Sequence, residues 1–261
     1  MVTVRTLNSV AASKNWFLYQ MDVNNTFLQG DLHEKIYMDL PQGFHRQGKY
    51  RREGCIVIIL IYVDDLLITG SDKDLIDGAK QTLHNNFKVK DLGELKYFLG
   101  IKVLRSKQGI LLNQRKYALK LVYDVGLNGA KPSTTPLEAN TRLTTVEFDK
   151  LIGDTDDPLL EDICSYQKLV GKLIYITITR PDICFTFQVL SQFMKQPKRS
   201  HWEAALRVVR YIKGCPGLGV FLSQTSATHL TVYCDSDWAT CPNTRRSVTG
   251  YVIKLGDSLI S

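Results

Sequence analysis

One stretch of this sequence decides the fold: Cys55-Ile-Val-Ile-Ile-Leu-Ile-Tyr62-Val63-Asp64-Asp65-Leu66-Leu-Ile-Thr69-Gly70. Its isoleucine and valine content, its short apolar halves and its closing glycine predict a strand, a turn and a second strand. Two ionised carboxylates beside apolar strands are costly unless a cation compensates them. Because magnesium prefers carboxylate oxygens and phosphates, Asp64 and Asp65 indicate either a metal site for phosphoryl transfer or a solvated acidic turn.

A second apolar segment carries another carboxylate, in the string Gln20-Met21-Asp22-Val23-Asn24-Asn25-Thr26-Phe27-Leu28. Two-metal catalysis requires carboxylates from separate strands, because one turn cannot surround two cations. This second segment therefore favours the metal site over the solvated turn.

Together the two segments resemble the palm of the reverse transcriptase of copia-type LTR retrotransposons. That family carries one aspartate in motif A and a Tyr-Val-Asp-Asp string in motif C, and this chain matches them with Asp22 and with Tyr62-Val63-Asp64-Asp65. The resemblance implies that Asp22, Asp64 and Asp65 are catalytic and together hold two Mg²⁺ ions.

The resemblance also implies nucleotide contacts around these carboxylates, by Asn25, Thr26, Phe27 and Tyr62. Phe27 matches the aromatic gate that excludes a ribose 2′-hydroxyl, whereas without the neighbouring motif it would be an ordinary core aromatic. The partners implied for such a site are dNTPs and an RNA/DNA primer–template duplex.

Further blocks extend the resemblance over nearly the whole chain in the family's order. Asp91-Leu92-Gly93 and the string from Tyr97 to Ile101 resemble the segment after motif C that holds the primer terminus. Near the other end, Cys234-Asp235-Ser236-Asp237-Trp238-Ala239 and Thr244-Arg245-Arg246-Ser247 resemble the opening of a ribonuclease H domain. Asp235, with Asp237 as a candidate neighbour, would be an incomplete ribonuclease H metal site.

The chain also departs from the family pattern. Family members place several dozen residues between motif A and motif C, including a Leu-Tyr-Gly-Leu-Lys-Gln helix under the incoming nucleotide. Here only eleven residues lie between Phe44 and the start of the motif C strand at Ile56, and that helix is absent from the sequence. The sequence starts just before motif A and stops at Ser261, so the fingers and the later ribonuclease H carboxylates of the family are not in it. Phosphoryl transfer depends on positioning and electrostatics, so we predict a polymerase region with impaired catalysis. A non-catalytic nucleic-acid-binding module and a product without function stay open as alternatives.

We predict an α+β fold in five segments. Residues 1–105 would form a partial reverse-transcriptase palm sheet with helices, and 106–137 a thumb-like segment. Residues 138–162 would form an acidic, poorly packed linker, 163–225 a helical connection, and 226–261 the first strands of a ribonuclease H-like domain. Helices are expected at 72–85 with Ser71 as N-cap, at 166–178, at 183–195 and at 201–213, and strands at 230–234 and 248–255.

The net charge of +7 suits an anionic partner such as nucleic acid. Lysine and arginine concentrate in 102–120 and 191–214, on either side of the acidic segment. These basic segments would follow the duplex through phosphate contacts, or they would simply be solvated helix faces. The nucleic-acid-binding candidates are Arg115, Lys116, Arg207, Arg210 and Lys213.

The sequence shows no signal for secretion, membrane insertion or zinc binding. The first thirty residues lack a signal-peptide pattern, and the longest apolar run, Cys55 to Val63, is too short to span a bilayer, so we expect an intracellular chain without membrane contact. The six cysteines show no zinc-site spacing and are expected to be reduced. The oligomeric state is not predicted.

Overall fold

The structure is a computed structural model, and it describes residues 1–23, 55–138, 142–153, 156–225, 228–239, 241 and 243–261. Within these ranges the fold is α+β, as predicted, with three antiparallel sheets and seven α-helices.

The first sheet lies in the segment predicted as a palm, so we call it the palm sheet, and it contains the predicted strand–turn–strand that ends at Gly70. Its strands are β1 (Phe17–Val23), β2 (Val57–Tyr62), β3 (Asp65–Gly70) and β4 (Val89–Glu94), in the order β2-β3-β1-β4. Helix α1 (Val2–Ser13) precedes β1, and α2 (Lys73–Asn86) connects β3 to β4. The predicted strand–turn–strand is confirmed, with the turn at Val63-Asp64 and Asp65 already in β3.

The palm sheet has two different faces because its side chains alternate along each strand. Met21, Leu66 and Ile68 pack against Ile76 and Leu83 of α2 on one face. The opposite face contributes Leu18 and Leu67 to a second core, which also contains α1 and the apolar side of the next sheet. Asp22 and Asp65 lie on this second face, one step beyond its buried apolar part.

The second sheet joins distant parts of the chain. It contains β5 (Tyr97–Phe98), β6 (Ile101–Ser106), β7 (Gly109–Asn113) and β8 (Gly219–Ser223), in that order. Because β8 pairs with β7, residues predicted as connection complete the sheet that begins after the palm.

The helical core lies between β7 and β8 in the sequence. Its helices are α3 (Arg115–Asp124), α4 (Val146–Ile152), α5 (Ile163–Thr177), α6 (Cys184–Ser191) after a 3₁₀ turn (Pro181–Ile183), and α7 (Arg199–Gly214). Leu121 of α3 packs with Leu173 of α5 and Val209 of α7 in one apolar cluster. The predicted thumb-like and connection segments therefore share a core.

The third sheet, the C-terminal sheet, contains β9 (Leu230–Asp237), β10 (Val248–Leu255) and β11 (Ser258–Leu259), in the order β11-β10-β9. The Ser223 backbone N–H at the end of β8 donates to Ser258 Oγ over 2.9 Å, which links this sheet to the second one. Strand β10 has its predicted bounds, and β9 extends three residues beyond its predicted end at 234.

Two local predictions are wrong. Asp72, not Ser71, caps α2, because its carboxylate accepts from the Leu75 N–H over 3.1 Å while the Ser71 hydroxyl accepts from the Ile56 N–H. The acidic segment is not poorly packed throughout, since α4 begins with a Thr145 cap and the buried Asp149 forms an ion pair with Lys198. That pairing offsets the desolvation of both charges.

Candidate active site

Strand register brings two of the predicted catalytic carboxylates together. Asp22 of β1 lies directly opposite Asp65 of β3 in the antiparallel ladder. Side chains of directly opposed residues share one face, with Cβ atoms about 5 Å apart. The two segments that suggested a metal site in the sequence therefore meet in the structure.

The same register places one residue on each side of this pair. Tyr62 lies opposite Asp65, and Lys90 lies opposite Asp22, so a row of four side chains crosses the sheet. We call Tyr62, Asp65, Asp22 and Lys90 the palm row. Tyr62 is 53% exposed, which leaves its ring accessible beside the carboxylates.

Gln20 supports the palm row from the preceding position on the same face of β1. Its amide Nε2 donates to Asp65 Oδ1 over 2.9 Å. This bond fixes the orientation of the Asp65 carboxylate, because one of its oxygens is committed to the amide.

The turn that carries Asp64 is tied to the end of β1. The Asp64 carbonyl accepts a hydrogen bond from the Val23 N–H over 2.8 Å. Val63, the first residue of the turn, has φ of 53°, a left-handed conformation that is rare for a β-branched residue. Backbone strain of this kind persists only where the surrounding structure enforces it, and it is concentrated at functional sites.

Lys90 is a candidate site residue that the sequence analysis missed. Neighbouring Asp91 faces α2, where its carboxylate pairs with Lys80 Nζ over 3.0 Å. Alternation along β4 then directs Lys90 to the opposite face, beside Asp22. The available signal is the alternation of Val89, Lys90 and Asp91 after an amphipathic helix. The register of β4 also depends on a β-bulge between Gln20 and Met21, which the sequence does not reveal.

The side-chain types fit a hard cation, but the described part of the chain provides two carboxylates and not a complete set of metal ligands. Asp22 and Asp65 offer carboxylate oxygens, the ligands that Mg²⁺ prefers. Among the described residues no group of three His, Cys, Asp or Glu side chains is placed to hold a metal ion. Three of the predicted nucleotide contacts, Asn25, Thr26 and Phe27, lie outside the described residues.

The predicted nucleic-acid-binding residues divide into two sets. Arg115 and Lys116 are exposed in the first turn of α3. Arg207 instead pairs with Glu138 over 3.1 Å, and Lys213 donates to the carbonyls of three residues: Leu127 at 3.1 Å, Asn128 at 2.5 Å and Ala130 at 2.6 Å. These two α7 side chains hold the segment after α3 in place, and half-buried Arg210 lies between them on the same helix.

The ribonuclease H-like candidates lie on the C-terminal sheet. Asp235 and Asp237 are exposed on β9, opposite Gly250 and Val248 of β10. Both carboxylates line a cavity of about 620 Å³ that also contacts Arg5 of α1. Arg5 is buried, and its guanidinium donates to the carbonyls of Ile178 and Ile260. Burial lowers the pKa of Arg5 despite the nearby Cys184 thiol.

Family comparison defines the class of this protein. The model of the family described as reverse transcriptase (RNA-dependent DNA polymerase) matches residues 1–55 and 47–139. These matches cover more than half of the chain, so the chain belongs to the reverse transcriptase family. The resemblance to copia-type retrotransposon polymerases is confirmed by the relatives that follow.

The curated relatives are transposon polyproteins and shorter chains. The Retrovirus-related Pol polyprotein from transposon RE1 of Arabidopsis thaliana is 34% identical over 304 residues, covering 99% of this chain and 20% of that protein. That from transposon TNT 1-94 of Nicotiana tabacum is 31% identical over 316 residues, covering 100% of this chain and 23% of that protein. An uncharacterized mitochondrial protein of Arabidopsis thaliana is 36% identical over 205 residues, covering 78% of this chain and 80% of its own length.

This chain therefore spans about a fifth of the length of the Pol polyproteins that it matches. No solved structure matches it. Within the described ranges, none of the helices combines the length and the apolar character needed to cross a membrane.

Proposed function

We propose that this chain carries the palm of an RNA-directed DNA polymerase that works by two-metal nucleotidyl transfer. The observation that supports this most directly is the register of Asp22 against Asp65, which puts carboxylates from two separate motifs on one face of one sheet. Membership of the reverse transcriptase family supplies the reaction class. The proposed partners are a primer–template duplex and dNTPs.

Each palm-row residue has a proposed role. Asp22 and Asp65, with Asp64 beside them in the turn, would hold Mg²⁺. When bound, the metal would stabilise the attacking and leaving oxygens of the in-line displacement. Gln20 orients Asp65, and Lys90 places a cation where negative charge would develop on the phosphates.

We further propose that catalysis by this chain is impaired. The family model matches in two segments, 1–55 and 47–139, which meet at the short interval after Phe44. The alignment to the RE1 polyprotein runs over 304 residues although this chain has 261, so the alignment contains gaps in this chain. Misplacement of a substrate by about 1 Å costs about 100-fold in rate. The Leu-Tyr-Gly-Leu-Lys-Gln string, which in the family belongs to the support of nucleotide and template, does not occur in the sequence of this interval.

Primer extension on an RNA template tests both parts of the proposal. We expect weak or no Mg²⁺-dependent extension by the chain itself. A chimera that receives the corresponding interval of the RE1 polyprotein after Phe44 should gain extension, and Asp64→Asn/Asp65→Asn in that chimera should abolish it. Extension that survives the double substitution would refute the assigned carboxylates, and robust extension by the unmodified chain would refute the impairment.

Duplex binding without catalysis is a second candidate function, favoured by the exposed Arg115 and Lys116 at the start of α3. Each phosphate contact makes the affinity for duplex more salt-dependent. Each phosphate contact contributes about 0.9 to the slope of log affinity against log salt. In the Arg115→Gln/Lys116→Gln variant, which removes two contacts, we expect the magnitude of this slope to fall by roughly 2. Lys213→Gln is the contrasting variant, because that ammonium group already serves three backbone carbonyls.

A further inference from the structure

An exposed tryptophan follows the last residue of β9. Trp238 is 90% exposed, whereas Trp16 is buried and Trp202 is half-buried. Burial of an indole is among the larger apolar contributions to folding, and the Trp238 indole instead stays in water, where its ring is available to a partner. Trp238 belongs to the block that resembles a ribonuclease H opening, yet the palm chemistry makes no use of it.

The side chains around Trp238 form a basic and aromatic cavity. Its volume is about 700 Å³, and its lining includes Phe148 and Leu151 of α4 together with Trp238, Arg142 and Arg245. Of the described residues in this lining, the charged ones are the two arginines. The cavity therefore combines positive charge with an open aromatic plane.

The loop after β9 is held against the start of α4. Asn243 Oδ1 accepts from the Thr145 N–H over 2.8 Å, and its Nδ2 donates to the Leu143 carbonyl over 3.4 Å. Within the loop, the Arg245 N–H donates to the Cys241 carbonyl over 2.8 Å, and Arg245 has a left-handed backbone with φ of 55°. These bonds hold the backbone that carries Arg245 against the start of α4 before any ligand arrives, which lowers the ordering cost of binding.

We propose that this surface binds single-stranded nucleic acid, with an unpaired base stacked on Trp238 and phosphates contacted by Arg142 and Arg245. Stacking on an aromatic side chain combined with arginine contacts to the backbone is the general chemistry of single-strand recognition. A duplex hides its base faces, so it cannot use the exposed indole in this way. The site uses none of the palm-row residues, and its binding is therefore independent of polymerase activity.

Fluorescence anisotropy with a labelled 12-residue oligothymidylate tests the site in the full chain. Trp238→Ala should weaken binding about tenfold, from the stacking energy of one base. Trp238→Phe keeps an aromatic plane and should bind within about threefold of the parent. Tyr233→Ala is the matched control, since Tyr233 is a 60% exposed aromatic on β9, the strand that ends just before Trp238, and its removal should leave the affinity unchanged.

The salt dependence of the affinity tests the contribution of Arg142 and Arg245. The double substitution Arg142→Gln/Arg245→Gln should lower the slope of log affinity against log salt by roughly 1.4, from about 0.7 per single-strand phosphate contact. Tryptophan fluorescence of the parent should be quenched by the oligonucleotide, and this quenching should vanish in Trp238→Phe.

Three outcomes would overturn the proposal. One is an affinity of Trp238→Ala within twofold of the parent, with an unchanged circular dichroism spectrum. The second is equal competition by a 12-base-pair duplex, which would make the surface a duplex site. The third is equal competition by poly-glutamate at matched charge, which would make it a site for acidic protein segments.

Discussion

Two lysines of this protein meet aspartates in opposite surroundings. Lys90 lies opposite Asp22 on the palm sheet, beyond the buried apolar part of that face, and is itself exposed. Lys198, the N-cap of α7, is 4% exposed, and its Nζ contacts Asp149 at 2.5 Å, Thr144 Oγ1 at 3.1 Å and Asp157 at 3.3 Å. Similar residue types thus form an accessible row in one place and a closed network in the other.

The difference in burial distinguishes the palm row, a candidate binding site, from the Lys198 network, which holds structural elements together. A closed network has its donors and acceptors occupied within the protein, so it can hold elements together but has little capacity for a ligand. The Lys198 network joins α4 and the 157–160 segment to α7. The palm row leaves charged groups of both signs on a solvent-facing surface, which is the condition for recruiting a cation or a phosphate.

Removing each lysine gives the largest contrast. Lys198→Met should lower the free energy of unfolding by about 3–5 kcal/mol, because it leaves the Asp149 carboxylate buried without its counter-charge. Lys90→Met should change it by less than about 0.5 kcal/mol, as for exposed substitutions generally. Urea unfolding followed by circular dichroism measures both. Equal losses in the two variants would show that burial does not distinguish these lysines.

Acid should weaken the closed network through His201, which is fully buried and stacks on the Phe193 ring at 3.8 Å between centroids. Burial and the neighbouring Lys198 charge lower the pKa of His201 to about 4. Because the folded pKa lies below the unfolded value of about 6.5, the unfolded chain gains a proton first as the pH falls. His201 therefore contributes stability that is present above pH 6.5 and is lost between about pH 6.5 and 4.

We expect this single titration to cost about 2–3 kcal/mol between pH 7 and pH 4.5. The check is a set of urea unfolding curves at half-unit pH steps for the parent and for His201→Gln, whose difference isolates the histidine. The contribution of Asp149 to stability is lost at lower pH than that of His201. Burial opposes its ionisation, but hydrogen bonds from Lys198 and Thr144 outweigh this and lower the pKa of Asp149. A parent–variant difference that stays constant with pH would refute the role of His201.

The sequence predicts local elements well and long-range pairings poorly. Apolar runs and their breaks predict β2, β3, α2, α7 and β10, because these depend on periodicity within a short window. Neither the Asp22 motif nor the Asp65 motif predicts by itself that the two residues pair. The pairing is predicted only because the family resemblance assigns both motifs to one site. The bond between Lys198 and Asp149 spans 49 positions, and no local pattern specifies it. Lys90 was missed for the same reason, since its place depends on strand register and a bulge.

Magnesium provides the smallest and most specific test of the palm row. If Asp22 and Asp65 bind the ion in the folded state alone, 10 mM Mg²⁺ should stabilise the parent by about 1 kcal/mol for a millimolar dissociation constant. Asp65→Asn should remove that increment while leaving the Gln20 side chain a partner. Urea unfolding with and without MgCl₂, at ionic strength matched with KCl, measures the effect.

Asp235→Asn tests the competing site, because Asp235 is the exposed ribonuclease H-like candidate on another sheet. A magnesium increment that persists in Asp235→Asn and disappears in Asp65→Asn assigns the ion to the palm sheet, independently of any polymerase activity. The reverse pattern would move the metal site to β9, and an increment unchanged in both variants would mean that the ion acts on the general charge of the protein. In that last case, strand register would have brought the carboxylates together without creating a site.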